Sequence, residues 1–390
     1  MAGFKKSALL ILCALYLPII AVGVFNYTVD PFQIYRQQTL VKPSFCKEQR
    51  PQNAGLIRSY LAQSGYDSLI LGSSVADNYI PSHVAQWFGW QKAMRLTING
   101  CYIDQQIYLL EQALRTGAIK NVFWSVRPEE ILTEEKDQIP VRRELPYHLY
   151  TASWWDDGPY LFSLDNAAFS WQTLRGTLPW EPDLNRLYDF MDRIRTARLA
   201  AMQFSLYYQQ VSARLRYFFP PILPKQAPQP SDFPPGFSRL VATIANHSHT
   251  NFVILFPPVS RWALKAKTIW PGALRRYFTV QWALVEALAP LPNVRVYGFD
   301  DVEEVVGNLA NYMDAAHFHW GVNDWILLQI ACRKHLLTKN NISDYLTRTH
   351  QSLSDYRPYF DYQRMIPVQG PGLRAYFQEE LNCYLYRDWP

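Results

Sequence analysis

The stretch Leu69-Ile70-Leu71-Gly72-Ser73-Ser74-Val75-Ala76-Asp77-Asn78 decides the fold. An apolar run ends at a glycine, two serines follow, and the next residues are compatible with a helix. This pattern predicts a buried strand, a tight turn and a helix start. Ligands of open α/β sheets bind at the carboxyl ends of the strands, where these serines would lie. A serine before a helix is also an ordinary N-cap, so the stretch alone fits both roles.

A second stretch, near the other end of the chain, contains residues that could activate a serine hydroxyl. Asp314-Ala315-Ala316-His317 places a carboxylate and an imidazole three residues apart, and we expect a helical turn to align them. In such a pair the aspartate fixes the tautomer of the histidine, and the histidine can take a proton from a serine hydroxyl. The two stretches together indicate nucleophilic catalysis by a serine.

The composition is that of a packed globular protein. Of its 390 residues, 49% are hydrophobic and 15% are aromatic, which excludes general disorder. The net charge of +5 is modest and spread along the chain. Because no basic run alternates with aromatic residues, we expect no nucleic-acid partner.

The first 25 residues predict an uncleaved membrane anchor. Lys5 and Lys6 precede Ser7–Phe25, an uncharged and mostly apolar run close to the roughly 20 residues that cross a bilayer. The positive charges predict a cytoplasmic amino terminus, a single-pass anchor in the inner or plasma membrane, and a periplasmic remainder. A cleaved signal peptide with its site near Ala21-Val22-Gly23 is the alternative.

Four cysteines follow the predicted anchor: Cys46, Cys101, Cys332 and Cys383. Their wide spacing does not predict a zinc site, and an oxidising compartment would permit disulfides. The sequence leaves their pairing open.

Strand and helix patterns alternate along most of residues 26–336, which indicates an α/β fold with a parallel sheet. Between about residues 140 and 236 the alternation stops, and an aromatic-rich, proline-rich segment predicts an insertion over the sheet edge. Residues 337–390 form a C-terminal extension of unassigned role. The predicted strands are Ser68–Leu71, Ala93–Ile98, Asn121–Val126, Asn251–Phe256 and Asn293–Tyr297, and the predicted helices are Leu56–Gln63, Ile103–Arg115, Phe278–Leu288 and Asp324–Leu336.

The serine turn, the Asn99-Gly100 pair after the second strand and the Asp-x-x-His stretch make the chain resemble the SGNH/GDSL hydrolase superfamily. That resemblance implies a flavodoxin-like three-layer α/β/α sandwich and catalysis without a cofactor or metal. More narrowly, the chain resembles membrane-anchored bacterial members in which Gly-[Ser/Thr]-Ser replaces Gly-Asp-Ser. These relatives include polysaccharide O-acetyltransferase components and the D-alanyl transfer protein of teichoic acid.

The resemblance assigns a role to each matching residue. Ser74 matches the nucleophile, and its N–H would form an oxyanion hole with the N–H of Gly100. Asp314 and His317 match the orienting acid and the base. The family usually supplies a third oxyanion donor, an asparagine, after the third strand, where this chain has Arg127. Loss of one such donor can cost about 100- to 1000-fold in rate.

Three further residues near these positions are candidates for substrate binding: Arg127, Asn78 and His319. His317 and His319 also form a His-x-His pair, as do His247 and His249, and this spacing permits a metal-site alternative.

The sequence therefore predicts serine-dependent acyl transfer, as an O-acetyltransferase or an esterase, on a cell-envelope or exported polysaccharide. A membrane-bound acyl-donor protein is an expected partner. The alternative is a non-catalytic scaffold or glycan-binding subunit of a polysaccharide complex, which the departure at Arg127 favours.

Overall fold

The computed structural model describes residues 2–37, 40, 45, 48–61, 63–132, 144–176, 184, 223–224, 228, 233–270, 272–314, 316–354 and 356–366, with side chains from residue 14 onward. The chain forms two compact units. The first contains residues 1–66, 112–118 and 143–187, and the second contains residues 67–111, 119–142 and 188–390. Most of the predicted insertion beyond residue 176, and the tail beyond residue 366, lie outside the described residues.

The second unit is built on a mixed α/β arrangement with a six-stranded sheet in the order β2-β1-β3-β4-β5-β6. The first five strands are parallel, and β6 runs antiparallel to β5. β1, β2 and β3 are buried at every residue, as expected for parallel strands covered on both faces. The strands are β1 (Ser68–Gly72), β2 (Ala93–Thr97), β3 (Asn121–Ser125), β4 (Asn251–Phe256), β5 (Val294–Gly298) and β6 (Leu336–Leu337).

Helices connect these strands, as right-handed parallel crossovers require. A 3₁₀ turn at Ser74–Ala76 follows β1 directly. The last residues of α4 fall in the first unit. The helices are α3 (Pro81–Phe88), α4 (Ile103–Leu114), α5 (Pro128–Leu132), α8 (Pro235–Ala245), α9 (Arg261–Ala266), α10 (Ala273–Leu288), α11 (Glu303–Val306), α12 (Trp320–Ala331) and α13 (Ile342–Ser354).

Among the described residues of the first unit, the longer regular elements are helices. The unit contains α1 (Ala2–Val29), α2 (Gln49–Gly55) with a π-helical continuation over Leu56–Leu61, α6 (Gly158–Leu161) and α7 (Leu164–Arg175). The helix predicted over Leu56–Gln63 thus begins earlier, because Pro51 lies in the first turn of α2, where a proline is tolerated. α1 continues to Val29.

Among the described residues, none of the helices combines the length and the apolar character needed to cross a bilayer.

The segment after residue 319 differs from the single helix predicted over Asp324–Leu336. α12 begins at Trp320, and it ends at Ala331 because Arg333 and His335 have φ angles of +56° and +61°, which a right-handed helix cannot include. The chain then reverses and adds β6 to the sheet edge. The prediction of helix over residues 332–336 was therefore wrong.

Cys101 and Cys332 lie in the described part of the second unit. Cys101 is buried and forms no disulfide, whereas Cys332 is disulfide-bonded.

Candidate active site

Ser74 lies immediately beyond the carboxyl end of β1, on a turn that requires glycine. Gly72 has a φ of +148°, and a Cβ there would lie 2.7 Å from Cβ of Ala76 and 2.9 Å from the carbonyl oxygen of Ser125. A side chain at residue 72 would therefore both strain the backbone and collide with its neighbours. The tight turn leaves Ser74 half-buried at the start of a 3₁₀ turn.

The strand order places this turn at a switch point of the sheet. From β1 the chain continues to β2 on one side, whereas β3 lies on the other side of β1. Ser74 follows β1 and Arg127 follows β3, so both lie beyond the strand ends that flank the crevice. Ligands of open α/β sheets bind in crevices of this kind.

Asp314 and His317 lie in a loop closed by an antiparallel bridge between Tyr312 and Phe318. Oδ1 of Asp314 accepts hydrogen bonds from the N–H groups of Ala316, at 2.8 Å, and His317, at 2.9 Å. The described residues of this loop are bends and irregular backbone, and they do not form the expected helical turn. The side chain of Asp314 fixes the loop through its own backbone contacts, as aspartates do in Asx turns.

The three predicted catalytic side chains form a continuous hydrogen-bonded chain. Nδ1 of His317 lies 2.6 Å from Oδ2 of Asp314, and Nε2 of His317 lies 2.7 Å from Oγ of Ser74. Ser74 and His317 are 243 residues apart in the sequence. The side chain of His317 is 22% exposed and that of Asp314 is 47% exposed. Of these two side chains, Asp314 is therefore the more accessible to solvent.

Asp314 is held in its charged form. Burial raises the pKa of its carboxyl, but the hydrogen bond and charge of His317 and the two backbone N–H groups outweigh this, so the pKa lies below its usual range. An ionised carboxylate can only accept hydrogen bonds, which directs the proton on Nδ1 of His317 toward Asp314. Nε2 of His317 is then free of its proton and can accept that of Ser74.

Gly100 lies at the same edge of the sheet as Ser74. β1 and β2 are in register at Gly72 and Thr97, so the residues that follow both strands emerge beside each other. Gly100 is exposed, has a φ of +63°, and has open space where a Cβ would be. A positive φ favours glycine, and the small residue leaves its backbone accessible to a ligand.

Asn78 supports the loop that carries the histidine. It is buried, and its Nδ2 donates to the carbonyl oxygen of Phe318 at 3.5 Å. The structure thus places this candidate against the residue that follows His317.

His319 lies inside the fold at the start of α12. It is 1% exposed, and its Nδ1 accepts a hydrogen bond from the N–H of Gly321 at 3.2 Å. Burial lowers the pKa of His319 to about 4, so the ring is neutral near pH 7. The position explains the N-terminus of α12, because the imidazole serves as its N-cap.

Arg127 is part of a charged cluster at the crevice. Its Nη2 lies 3.6 Å from Oε1 of Glu129, and the same oxygen lies 2.5 Å from Nζ of Lys267. Burial lowers the pKa of Arg127, but the charges of Glu129, Glu130 and Asp314 raise it above its usual value. Within the described residues, Nε of Arg127 is buried without a hydrogen-bond partner.

Glu129 balances the two cations of this cluster. Burial raises the pKa of its carboxyl, but the charges of Arg127 and Lys267 and the hydrogen bond from Lys267 outweigh this effect and lower the pKa to about 2. The carboxylate is therefore ionised over the whole range in which the protein would work.

The sequence analysis did not identify a buried series of hydrogen bonds that joins Glu130, Gln106 and Trp124. Oε2 of Glu130 accepts from Nε2 of Gln106 at 2.7 Å, and Oε1 of Gln106 accepts from Nε1 of Trp124 at 2.7 Å. Burial raises the pKa of Glu130. The available signal was a glutamate in the short helix that follows β3, but its partners lie on other elements.

The histidine pairs do not converge. Nδ1 of His247 lies 2.7 Å from the carbonyl oxygen of Thr243, while His317 contacts Ser74 and His319 caps α12. In the part of the chain that the structure describes, no group of three or more His, Cys, Asp or Glu side chains is placed to hold a metal.

Comparisons with known proteins add little to this geometry. No protein-family model matches the chain, and no curated protein matches it. A solved structure described as "a putative platelet activating factor from Streptococcus pneumonia" aligns over 77% of this chain and 92% of its own length, with a TM-score of 0.36 and 12% identity. A similarity of that size carries no argument about fold or function.

Proposed function

We propose that the protein catalyses serine-dependent acyl transfer, with Ser74 as nucleophile, His317 as general base and Asp314 as the residue that orients it. The observation that carries the proposal is the chain of 2.6 Å and 2.7 Å contacts from Asp314 through His317 to Ser74. Each contact is within the range that proton transfer requires. All three groups are arranged in the order in which a triad acts.

In this mechanism Nε2 of His317 takes the proton of Ser74 as Oγ attacks the acyl carbonyl carbon. The tetrahedral intermediate collapses when His317 returns the proton to the leaving alcohol, and an acyl ester remains on Ser74. A second nucleophile, deprotonated by His317, then releases the acyl group. Water would make the protein an esterase, and a sugar hydroxyl would make it an O-acyltransferase.

The developing oxyanion needs donors placed before the reaction begins. We assign this role to the N–H groups of Ser74 and Gly100, which lie beyond the adjacent ends of β1 and β2. Arg127 is positioned on the other side of β1 and adds a permanent positive charge at the crevice. Its side chain is 24% exposed, which supports a role in binding the substrate or the oxyanion.

We further propose that the second unit is an SGNH-like domain. The order β2-β1-β3-β4-β5 is the order of flavodoxin-like sheets, and β6 is an added antiparallel edge strand. On the same resemblance we propose attachment to the inner or plasma membrane through α1, a location outside the cytoplasm, and an envelope or exported polysaccharide as acyl acceptor or substrate.

The alternative is a non-catalytic scaffold or glycan-binding subunit that keeps the fold. The observation that favours it is Arg127, which stands where the resemblance implies an asparagine and whose guanidinium faces Glu129. A protein of this kind would bind a glycan at the crevice without forming an acyl ester.

Covalent labelling separates the two functions. The purified full chain in detergent would be treated with a fluorescent fluorophosphonate and assayed for hydrolysis of 4-nitrophenyl acetate. We expect the wild type to react, Ser74→Ala to lose both signals, and the matched control Ser73→Ala to retain both. A folded wild type that neither labels nor hydrolyses the ester would refute acyl transfer, and labelling that survives Ser74→Ala would refute the assignment of the nucleophile.

A further inference from the structure

The exposed part of α1 in the first unit is apolar on every side. Leu15, Tyr16, Leu17, Ile19 and Ile20 are each between 49% and 60% exposed. Every residue from 14 to 21 is exposed, and because successive helical residues are about 100° apart, these eight positions surround the helix axis. Residues 14–21 include no charged residue. A helix that is apolar all round requires an apolar environment on all sides.

α1 becomes packed by protein at Gly23. A Cβ at this position would lie 2.6 Å from the ring of Phe162, so the aromatic ring is in close contact with the helix backbone. One turn later Asn26 donates to the carbonyl oxygens of Leu161 and Ser163, at 2.8 and 2.9 Å, and accepts from the hydroxyl of Ser170 at 2.9 Å. These contacts fix α6 and α7 against the end of the exposed stretch.

The outer side of α6 and α7 is also apolar. Phe162, directly after α6, is 52% exposed, and Leu164 and Trp171 of α7 are 74% and 51% exposed. Leu164 and Trp171 are seven residues apart, so they lie on one face of α7. Arg175 holds its guanidinium carbon 4.6 Å from the centre of the Trp171 ring. A tryptophan beside a cation at the end of an apolar surface is typical of membrane–water interfaces.

We infer that residues 14–21 of α1, together with Phe162, Leu164 and Trp171, form one surface that is covered by a phospholipid bilayer. The α1 stretch enters the acyl chains, and Phe162, Leu164 and Trp171 lie at the headgroup boundary around the point where the helix leaves the lipid. A protein partner would cover one face of α1, whereas lipid covers the whole circumference.

This inference rests on the first unit alone and does not depend on the proposed acyl transfer. It goes beyond an N-terminal anchor because it assigns lipid contacts to residues more than a hundred positions away in the sequence. Lipid contact at Phe162 and Trp171 would also fix the orientation of the first unit on the bilayer.

Site-specific photocrosslinking tests the proposed surface. The full chain would be prepared with p-benzoylphenylalanine in place of Phe162 or Trp171, which keeps an aromatic side chain at each site. Tyr16→p-benzoylphenylalanine serves as the control within α1, and Gln351→p-benzoylphenylalanine, at an exposed position of α13, as the control in the second unit. Each protein would be reconstituted into vesicles of phosphatidylethanolamine and phosphatidylglycerol that carry an alkyne-tagged phospholipid, then illuminated.

We expect tagged lipid adducts from the variants at residues 16, 162 and 171, and only the unilluminated background from the variant at 351. Adducts at residue 16 alone would overturn the part of the surface assigned to α6 and α7. Equal adducts at residue 351 would show that the contact is not specific to the surface. Protein–protein adducts at residues 162 and 171 without lipid adducts would show that a second copy covers this face, and an absence of adducts at every position would overturn the inference as a whole.

Discussion

Replacing Asp314 with asparagine tests the triad with almost no change of shape. The two oxygens of Asp314 have different partners, since Oδ1 accepts two backbone N–H groups and Oδ2 faces Nδ1 of His317. An asparagine must keep its carbonyl oxygen toward the two N–H donors, because its own NH₂ would repel them. The NH₂ group is then directed at Nδ1 of His317.

That exchange reverses the tautomer of the histidine. Nδ1 must accept the proton of the amide, so Nε2 carries the hydrogen and cannot take the proton of Ser74. In Ser-His-Asp enzymes this change lowers kcat by about 10⁴-fold. At about 1.4 kcal/mol for each factor of ten, Asp314→Asn should raise the barrier by about 5 kcal/mol.

The fold should change little, because the loop keeps both backbone hydrogen bonds. The lowered pKa of Asp314 means that its charged form contributes stability above the pKa of the unfolded chain and loses it as the pH falls through the folded value. With a side chain that is 47% exposed, this contribution is small. Asp314→Ala, in contrast, removes the backbone contacts too and should lower the melting temperature.

The assay is ester hydrolysis by purified wild type, Asp314→Asn, Asp314→Ala and Ser74→Ala, with melting temperatures measured on the same samples. Turnover of Asp314→Asn should lie about 10⁴-fold below wild type and above that of Ser74→Ala, while its melting temperature stays near wild type. If Asp314→Asn retained activity within about tenfold of wild type, the tautomer argument would fail. His317 would then not be the base that Asp314 orients.

Three other changes test the fold around the site. Gly72→Ala should reduce the free energy of unfolding by about 1–3 kcal/mol, because its Cβ would collide with Ala76 and Ser125. Urea denaturation measures this change, and an unchanged midpoint would contradict the described turn. Ser163→Ala should cost about 1 kcal/mol, since Ser163 caps α7 through the N–H of Asn166, and ester turnover should not change. Burial raises the pKa of Asp300 to about 6. The folded chain therefore keeps a proton that the unfolded chain releases near pH 4. The free energy of unfolding should consequently fall as the pH rises from about 4 to about 6. Asp300→Asn should flatten that slope in melting temperatures measured from pH 4 to 7, and equal slopes would refute the raised pKa.

The strands were predictable because each buried strand is a run of consecutive, mostly apolar residues. Asn251–Phe256 was predicted with both its ends, and the strands at Ser68, Ala93 and Asn121 were predicted within one residue at their carboxyl ends. Parallel strands are covered on both faces, so their apolar runs are continuous and end where polar residues begin. β6 has only two residues and depends on its pairing with β5, which no local pattern records.

The missed boundaries have local physical causes that residue type does not reveal. α12 begins at Trp320 because a neutral buried histidine caps it, whereas Asp324 is the residue type that usually starts a helix. The Asp314–His317 pair was predicted from helical spacing, yet the contact arises from a bend that Asp314 itself holds. The pairing of the side chains was therefore predictable, and the backbone that produces it was not.

For Asp314 and His317 the signal in the sequence was a short local motif, and for three other residues of the candidate site it was their position after a strand end. Ser74, Gly100 and Arg127 were identified in this way. The groups around Arg127 were not, because Lys267, which pairs with Glu129, and Gln106, which donates to Glu130, come from helical segments with no distinguishing local pattern. Long-range contacts of this kind are decided by the packing of the whole unit.

The separation of the three triad residues along the sequence has a consequence for folding. Asp314 and His317 belong to one short loop, so their contact closes only three residues of chain and can form at little entropic cost. The contact of His317 with Ser74 closes 243 residues, and it exists only after β1 and the distant loop have been brought together. Reactivity of Ser74 would therefore appear at the end of folding, later than helix formation measured by circular dichroism. A fluorophosphonate added at timed intervals during refolding would record the assembly of the second unit through a single covalent event.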